Sequence, residues 1–454
     1  MKIHSVNPYT EEVLEEYTLL TPEELQSAVE DARRTLDVWR QRPVEERARY
    51  VRELAAVLRR EQKAYAAKIT AEMGKAIRES RAEVEKCAWL CDYYAESAER
   101  FLQPEPIATE NLRSYVVFEP LGVVLAIMPW NFPFWQAFRF AVPAICAGNV
   151  VLLKHASNVP STALAIEDAF RRAGFPEKVL STLLIDAASA AGLVDRDQVD
   201  AVSLTGSNPA GEQVGSLAGR RIKKLVLELG GSDPLLVLED ADVEKAARMA
   251  ARARMINAGQ SCIAAKRFLV HERIAEPFLH YFMDQLRQLK IGDPMEETTD
   301  VGPLARRDLR EELEAQLADA REKGARIVQL PGSFPKGFFF APCVVDRLRD
   351  DMRLLTEEVF GPIAPIRWIR DEEEAVREAN RTIYGLGASL WSRNLKRAER
   401  LARRIETGFV AINDMVKSDP RLPFGGVKKS GLGRELSHYG LKEFVNVKTV
   451  VVKE

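Results

Sequence analysis

Cysteine and histidine are scarce, with five of each in 454 residues. The cysteines, Cys87, Cys91, Cys146, Cys262 and Cys343, are odd in number and widely scattered, which argues against a disulfide framework. Cys87 and Cys91 stand four apart on one helical face, but no histidine or further cysteine completes a metal set, so both are expected in a core and no metal is expected. Excess charge is also missing. Lysine plus arginine number 65 against 67 for aspartate plus glutamate, so no global field recruits nucleic acid or an anionic membrane. No apolar run approaches membrane-spanning length, and the opening MKIHSVNPYT lacks the basic and apolar regions of a signal peptide. A soluble, cytoplasmic protein is therefore expected. Internal repeats, low-complexity segments and the dinucleotide fingerprint G-x-G-x-x-G are absent too.

What the chain does have is an ordinary globular composition, 46% hydrophobic and 29% charged, long enough for two or three domains. From Thr21 to about Phe101 the pattern is helical, opened by a capping residue, a first-turn proline and two acids in Thr21-Pro22-Glu23-Glu24. Around Ser114 the texture changes to β-branched residues flanking a Pro-Leu-Gly turn. Strand and helix signals then alternate. Strands are expected at Asn149 to Leu153, Val179 to Leu184, Val199 to Leu204 and Lys224 to Glu228, separated by helices from Ser161, Ala187 and Pro209. Such alternation implies a parallel sheet wound by right-handed crossovers, with ligands at the carboxyl ends of its strands. A second α/β series runs from about Pro234 to Asn413, and the tail from Phe444 to Val452 reads as a lone strand. An isolated strand needs a partner, and another subunit is a plausible one.

Four segments could carry chemistry. In Thr205-Gly206-Ser207-Asn208-Pro209-Ala210-Gly211 a small-residue turn opens a helix after a strand, an arrangement that suits a phosphate. In Leu227-Glu228-Leu229-Gly230-Gly231 a carboxylate ends an apolar strand. Burial should raise the pKa of Glu228 toward that of a useful general base, although a structural ion pair is the simpler alternative. In Met128-Pro129-Trp130-Asn131-Phe132-Pro133 the lone amide of Asn131 sits among rigid apolar neighbours, as a donor for developing negative charge or merely for a turn. In Gly259-Gln260-Ser261-Cys262-Ile263-Ala264-Ala265-Lys266-Arg267 a cysteine follows a glycine-led turn, as nucleophile or inert core thiol.

Arg139 is the only charge in Phe134-Trp135-Gln136-Ala137-Phe138-Arg139-Phe140-Ala141-Val142-Pro143. It needs an anionic partner, either an acidic substrate tail or a protein carboxylate. Simpler roles are expected for three other sites. His271-Glu272-Arg273 reads as a strand-to-helix turn, His155 as packing, and Trp89, Tyr93 and Tyr94 as core or interface.

Taken together with Glu357-Glu358-Val359-Phe360-Gly361-Pro362 and Pro423-Phe424-Gly425-Gly426, these ordered motifs resemble the aldehyde dehydrogenase superfamily, in particular its succinate-semialdehyde branch. The resemblance implies a Rossmann-like cofactor domain (1–112 and 125–230), an α/β catalytic domain (231–428) and a small β oligomerisation element (113–124 and 440–454) in a homo-oligomer. It makes Cys262 the nucleophile, Asn131 with the Cys262 N–H the oxyanion site, and Glu228 the base that activates hydrolytic water. It matches Trp130, Lys154, Ser157, Gly206, Ser207, Glu358 and Phe360 to cofactor contacts, and Arg139 and Ser418 to a substrate carboxylate.

Two departures matter. Ser157 stands where a glutamate often follows the ribose lysine. A serine hydroxyl with the Lys154 charge admits a 2′-phosphate, so NADP is expected to be preferred and NAD accepted. A second arginine found in some relatives is replaced by Met255-Ile256-Asn257, which leaves glutarate semialdehyde or a neutral aldehyde open beside succinate semialdehyde. A cysteine acyltransferase or hydrolase would need a histidine base near the thiol, and none adjoins a suitable motif.

Overall fold

The computed structural model describes residues 1–332 and 334–453; Glu454, the last residue of the expected oligomerisation element, lies outside the described residues. A hairpin of Lys2–Val6 and Val13–Thr18 opens the chain, ahead of four helices: Pro22–Trp39, Val44–Arg60, Gln62–Met73 and Ile77–Leu102. The first helix starts where Thr21 predicts. Its hydroxyl accepts from Glu24 N at 3.2 Å while the Glu24 carboxylate accepts from Thr21 N at 2.8 Å, satisfying two orphan donors reciprocally. The helix Ile77–Leu102 buries Cys87, Cys91 and Tyr94 but leaves Trp89 exposed, and it packs on the helices Val44–Arg60 and Pro133–Cys146. The last of these is buried along its whole length, with Phe134 stacked on Phe138. Each such ring contributes about 1.5–3 kcal/mol on burial.

Two sheets carry the rest. The first has the order Gly431–Leu432, Lys224–Glu228, Ala201–Thr205, Val123–Met128, Val150–His155, Leu180–Thr182, parallel except for the short Gly431–Leu432 edge. Its central strands read VVLAIM and VVLLKH because helices cover both faces, so alternation with polar residues is not required. Chain order runs outward from Val123–Met128 to Leu180–Thr182, then resumes on the other side at Ala201–Thr205. That reversal opens a crevice at the carboxyl edge between Met128 and Thr205.

The second sheet has seven strands. Asp233–Val237, Ala265–His271, Ile363–Ile369, Cys343–Asp346, Gly387–Trp391 and Phe409–Ile412 are parallel, and Arg326–Gln329 is an antiparallel edge. His271 ends its strand, and its Nδ1 accepts from Arg273 N at 3.2 Å, a turn-stabilising role.

The terminal strand corrects one expectation. Val445–Val452 is not left waiting for another subunit, because all eight residues pair antiparallel with Arg113–Pro120 of the same chain, which also pairs with Glu105–Pro106. Among the described residues, the outer edge of Val445–Val452 is unpaired. The expected boundary after 124 falls inside the strand Val123–Met128, because the Leu121-Gly122 turn ends the excursion earlier. Residues 437–444 pack on the cofactor side, where Phe444 meets Phe140 edge-on at 5.0 Å.

Candidate active site

Cys262 follows a stretch in which Asn257, Ala258 and Gly259 all take left-handed backbone, with φ of 53°, 53° and 77°. Two of them carry side chains that disfavour it, so surrounding bonds must hold the loop. Asn257 N donates to the Glu79 carboxylate at 3.1 Å. The Asn257 amide donates to the Asn131 carbonyl at 2.8 Å and to the Gln260 carbonyl at 3.0 Å. The Asn131 amide donates to the same Gln260 carbonyl at 3.2 Å, which fixes it two residues from the cysteine. On the far side the buried Lys266 ammonium donates to the carbonyls of Ser261 at 2.8 Å and Cys262 at 2.6 Å. Burial pushes the Cys262 thiol up to about 12, while Lys266 and then Arg139 pull it back, so at neutral pH the sulfur carries its proton and needs a base.

Glu228 ends the strand Lys224–Glu228 and is 2% exposed. Burial raises its pKa well above the carboxylate range, Arg139 opposes this, and Glu435 adds to it. Its Oε1 has no protein hydrogen-bond partner. The two glycines after it are demanded by close approach. A Cβ on Gly230 would stand 2.6 Å from the Glu358 carboxylate, and one on Gly231 2.7 Å from the Cys262 carbonyl. Gly231 N also donates to Glu358 at 3.1 Å.

Arg139 and Ser418 face the same cavity as Cys262, a space of about 530 Å³ also lined by Phe132, Trp135 and Phe424. Arg139, 2% exposed, is ion-paired to Glu435 and lies 3.8 Å from Glu228, with its guanidinium 4.8 Å from the Phe424 ring centre. The protein thus supplies the carboxylate partner that the sequence left open, and burial raises the pKa of Glu435 in turn. Glu435 was not singled out in the sequence. It sits just past the glycine-rich Pro423–Gly433 run, and nothing in its local pattern marks it as inward-facing. Ser418 is buried and takes a 2.6 Å hydrogen bond from Lys86, a second cation the sequence pattern hid on a mixed helix face.

The expected cofactor residues gather at the carboxyl edge of the first sheet. Ile127 is level with Lys154 and Leu204, and Thr205 with Glu228, so Trp130, Ser157, Gly206 and Ser207 emerge on one rim. Ser207 caps the helix Asn208–Arg220 by position, but its hydroxyl makes no capping bond. Gly206 N is tied to the Glu228 carbonyl at 3.0 Å. The Lys154 pKa is lowered by burial, and Asp186 partly restores it. Among the described residues no carboxylate lies within ion-pair distance of Lys154. His155 packs beneath, its Nε2 2.9 Å from the Pro133 carbonyl and its Nδ1 accepting from Ala156 N at 2.9 Å. Burial takes its pKa down to about 4, and it stays neutral. From the loop before the strand Ile363–Ile369, Phe360 meets Trp130 edge-on at 5.7 Å, and Glu358 lies 3.1 Å from Lys266.

A free lysine and serine on the rim, with an uncapped helix N-terminus beside them, fit a phosphorylated dinucleotide. A cysteine with a protonatable glutamate nearby fits covalent chemistry on a carbonyl. A fold and site of this kind suit an oxidoreductase. The chain belongs to the aldehyde dehydrogenase family, whose sequence model matches residues 1–450.

It is 45% identical over 456 residues to a probable succinate-semialdehyde dehydrogenase [NADP(+)] of Synechocystis sp., covering 99% of both chains. It is also 45% identical over 455 residues to succinate-semialdehyde dehydrogenase [NADP(+)] 1 of Mycobacterium tuberculosis, again covering 99% of both. Among solved structures, the succinic semialdehyde dehydrogenase of Streptococcus pyogenes in complex with NADP+ superposes with a TM-score of 0.97 at 35% identity, covering 100% of both chains.

Proposed function

We propose that the protein oxidises succinate semialdehyde to succinate with NADP as preferred cofactor and NAD as a poorer one. The observation that carries this is a single cavity holding Cys262, a cationic wall of Arg139 and Lys86, and the Ser418 hydroxyl. The names of the relatives in Synechocystis and Mycobacterium support the same substrate and cofactor.

The chemistry follows from the side chains. The Cys262 thiol gives up its proton to solvent as sulfur adds to the aldehyde carbon, and this is the one proton the reaction releases. The new oxyanion is held by the Asn131 amide and the Cys262 N–H. Such preorganised donors are worth about 3 kcal/mol each. Lys154, Ser157, Gly206 and Ser207 would hold the dinucleotide, with Glu358, Phe360 and Trp130 toward its nicotinamide. When bound, it supplies a two-electron acceptor for the hydride leaving the former aldehyde carbon. The carbon is then a thioester on Sγ. Glu228 takes a proton from water as the water oxygen bonds to that carbon, the C–S bond breaks with its electron pair on sulfur, which takes that proton back from Glu228, and the carboxylic acid is released. The balance is one aldehyde, one water and one oxidised nicotinamide converted to one acid, one reduced nicotinamide and one proton.

A homo-oligomer, dimer or tetramer, is the assembly proposed, with the unpaired outer edge of Val445–Val452 and its exposed Val447 and Val451 as the contact. Deleting 446–454 should then shift the size-exclusion profile toward monomer. Five cysteines, all free, suit a reducing compartment, and the cytoplasm is the proposed location.

The deciding experiment measures reduced-nicotinamide formation with succinate semialdehyde and with butanal, using NADP and then NAD. Preference for the acidic aldehyde by tenfold or more in kcat/KM, with NADP ahead of NAD, is the expected result. Equal use of both aldehydes would remove the acidic-substrate assignment, and NAD at or above NADP would remove the cofactor preference.

A further inference from the structure

Lys86 lies on the helix Ile77–Leu102 and lines the cavity that also holds Cys262. Its ammonium is held on two sides. It donates to Ser418 Oγ at 2.6 Å and sits 4.3 Å from the ring centre of Trp135. Both neighbours are neutral. Among the described residues no carboxylate lies within ion-pair distance of Lys86, although the chain forms ion pairs freely elsewhere.

The contrast with neighbouring cations is instructive. Lys75, on the turn leading into the same helix, is buried against Glu83. Arg139 is paired to Glu435. Lys266 has Glu358. A partly buried cation left without an anion costs free energy that a protein normally avoids by pairing it. Where the cation lines a cavity, a ligand anion can supply the pair.

We infer that Lys86 is a substrate-binding residue, which with Ser418 forms the second half of a carboxylate clamp whose first half is Arg139. The inference rests on the acidic-aldehyde substrate proposed above, and adds the residue that selects it.

The geometry explains why one arginine does not suffice. The Arg139 Nε edge is occupied by Glu435, so only the part of the guanidinium that lines the cavity is open to a ligand. A substrate carboxylate has two oxygens and up to four acceptor positions. Lys86 has three N–H donors, of which Ser418 takes one and the Trp135 face attracts another. Because Ser418 Oγ accepts from the ammonium, its own O–H is free to donate outward. The clamp therefore offers the Arg139 edge, a Lys86 N–H and the Ser418 O–H. Met255 and Ile256, where some relatives carry the second arginine, line the same cavity with no charge. In this chain the second cation comes from a different helix.

The electrostatics agree with the geometry. Burial lowers the Lys86 pKa to about 8, and the Arg139 charge is the next largest cause, with Cys87, Asp419 and Glu83 opposing weakly. Two cations facing one cavity repel each other until an anion enters between them.

The test compares wild type, Lys86→Met, Lys86→Gln and Lys86→Arg with succinate semialdehyde and with butanal, which has the same carbon count and no carboxylate. The expected result is a drop of at least tenfold in the ratio of kcat/KM for the acidic over the neutral aldehyde in the Met and Gln variants. The drop should be carried mainly by KM, with most of it restored in Lys86→Arg. In parallel, succinate should protect Cys262 of wild type from iodoacetamide more strongly than butyramide does, and the Met and Gln variants should lose that difference. A strong wild-type preference for the acidic aldehyde that survives both substitutions would overturn the role of Lys86 alone. A wild-type ratio near one would overturn the substrate proposal, and this inference with it. Equal losses with both aldehydes would mean that Lys86 only supports the wall.

Discussion

Lys266 donates to the Cys262 carbonyl at 2.6 Å while lying 3.1 Å from the Glu358 carboxylate. One buried ammonium thus joins the nucleophile loop to the residue expected at the nicotinamide ribose. Because Lys266 also pulls the Cys262 thiol down, removing its charge acts on chemistry as well as on shape. In Lys266→Met, the pH profile of Cys262 alkylation should move to higher pH, and turnover should fall by about tenfold or more. Breaking a buried pair should also cost about 3 kcal/mol in denaturant midpoint measurements. An alkylation profile that stays in place would contradict the electrostatic part.

Glu228→Gln keeps the shape of the site and removes its base. Rapid mixing should then show a first turnover of reduced nicotinamide followed by a steady rate lowered by about 100-fold or more, since hydrolysis of the thioester lacks its proton acceptor. In wild type, kcat should rise with pH as the raised Glu228 pKa is crossed, because the base works only when deprotonated. A slowed first turnover, with no burst, would put Glu228 in the first proton transfer rather than the second.

Gly231→Ala places a Cβ 2.7 Å from the Cys262 carbonyl, a backbone atom that cannot rotate aside. A displacement of the nucleophile by a fraction of an ångström should follow. The expected outcome is a loss of about 100-fold in kcat and of about 1–3 kcal/mol in stability, read by kinetics and thermal unfolding. Wild-type kinetics in this variant would show that the loop tolerates movement.

Selectivity for the acidic aldehyde should weaken as pH rises through about 8, where Lys86 loses its proton. The sign follows from the charge: below that pH the ammonium attracts a carboxylate, and above it the neutral amine does not. Glu228 and Cys262 titrate in both reactions, so the ratio of kcat/KM for succinate semialdehyde to that for butanal cancels them. Arg139, Asp419, Glu83 and Cys87 are the charged or titratable groups that face Lys86; burial pushes the Cys87 thiol up, and the hydrogen bond from Arg421 holds Asp419 below the carboxylate range. A flat ratio between pH 7 and 9.5 would contradict the titration.

Ser157→Glu should exchange the cofactor preference. A carboxylate there would bind two ribose hydroxyls and repel a 2′-phosphate, so the NADP to NAD ratio of kcat/KM should fall by about tenfold or more. An unchanged ratio would move the phosphate contact elsewhere.

The parallel sheet around Val123–Met128 was legible in the sequence because its strands are short apolar runs closed by turns, and Lys224–Glu228 was found residue for residue. The roles proposed for Cys262, Glu228 and Asn131 came only from motifs read jointly, since each alone had an ordinary structural alternative. Glu435 and Lys86 escaped for physical reasons. Each is a charge in a segment rich in charges, and what distinguishes it is the direction its side chain takes. Lys86 has Glu85 beside it on a long mixed helix, and only packing turns it inward. That Val445–Val452 and Arg113–Pro120 share one β element was expected only from the family resemblance, because their pairing spans more than three hundred residues and local pattern carries no information about such contacts.

The chain leaves the first sheet at Glu228, enters the second at Asp233, and after Ile412 returns to lay Gly431–Leu432 beside the strand it left. The half that bears the thiol is therefore attached to the half that bears the glutamate by two crossings, both close to the glutamate. Any hinge between the halves would run through these two crossings. Material near a hinge moves least, so such a motion would leave Glu228 almost still while distant parts of the rim travelled farther.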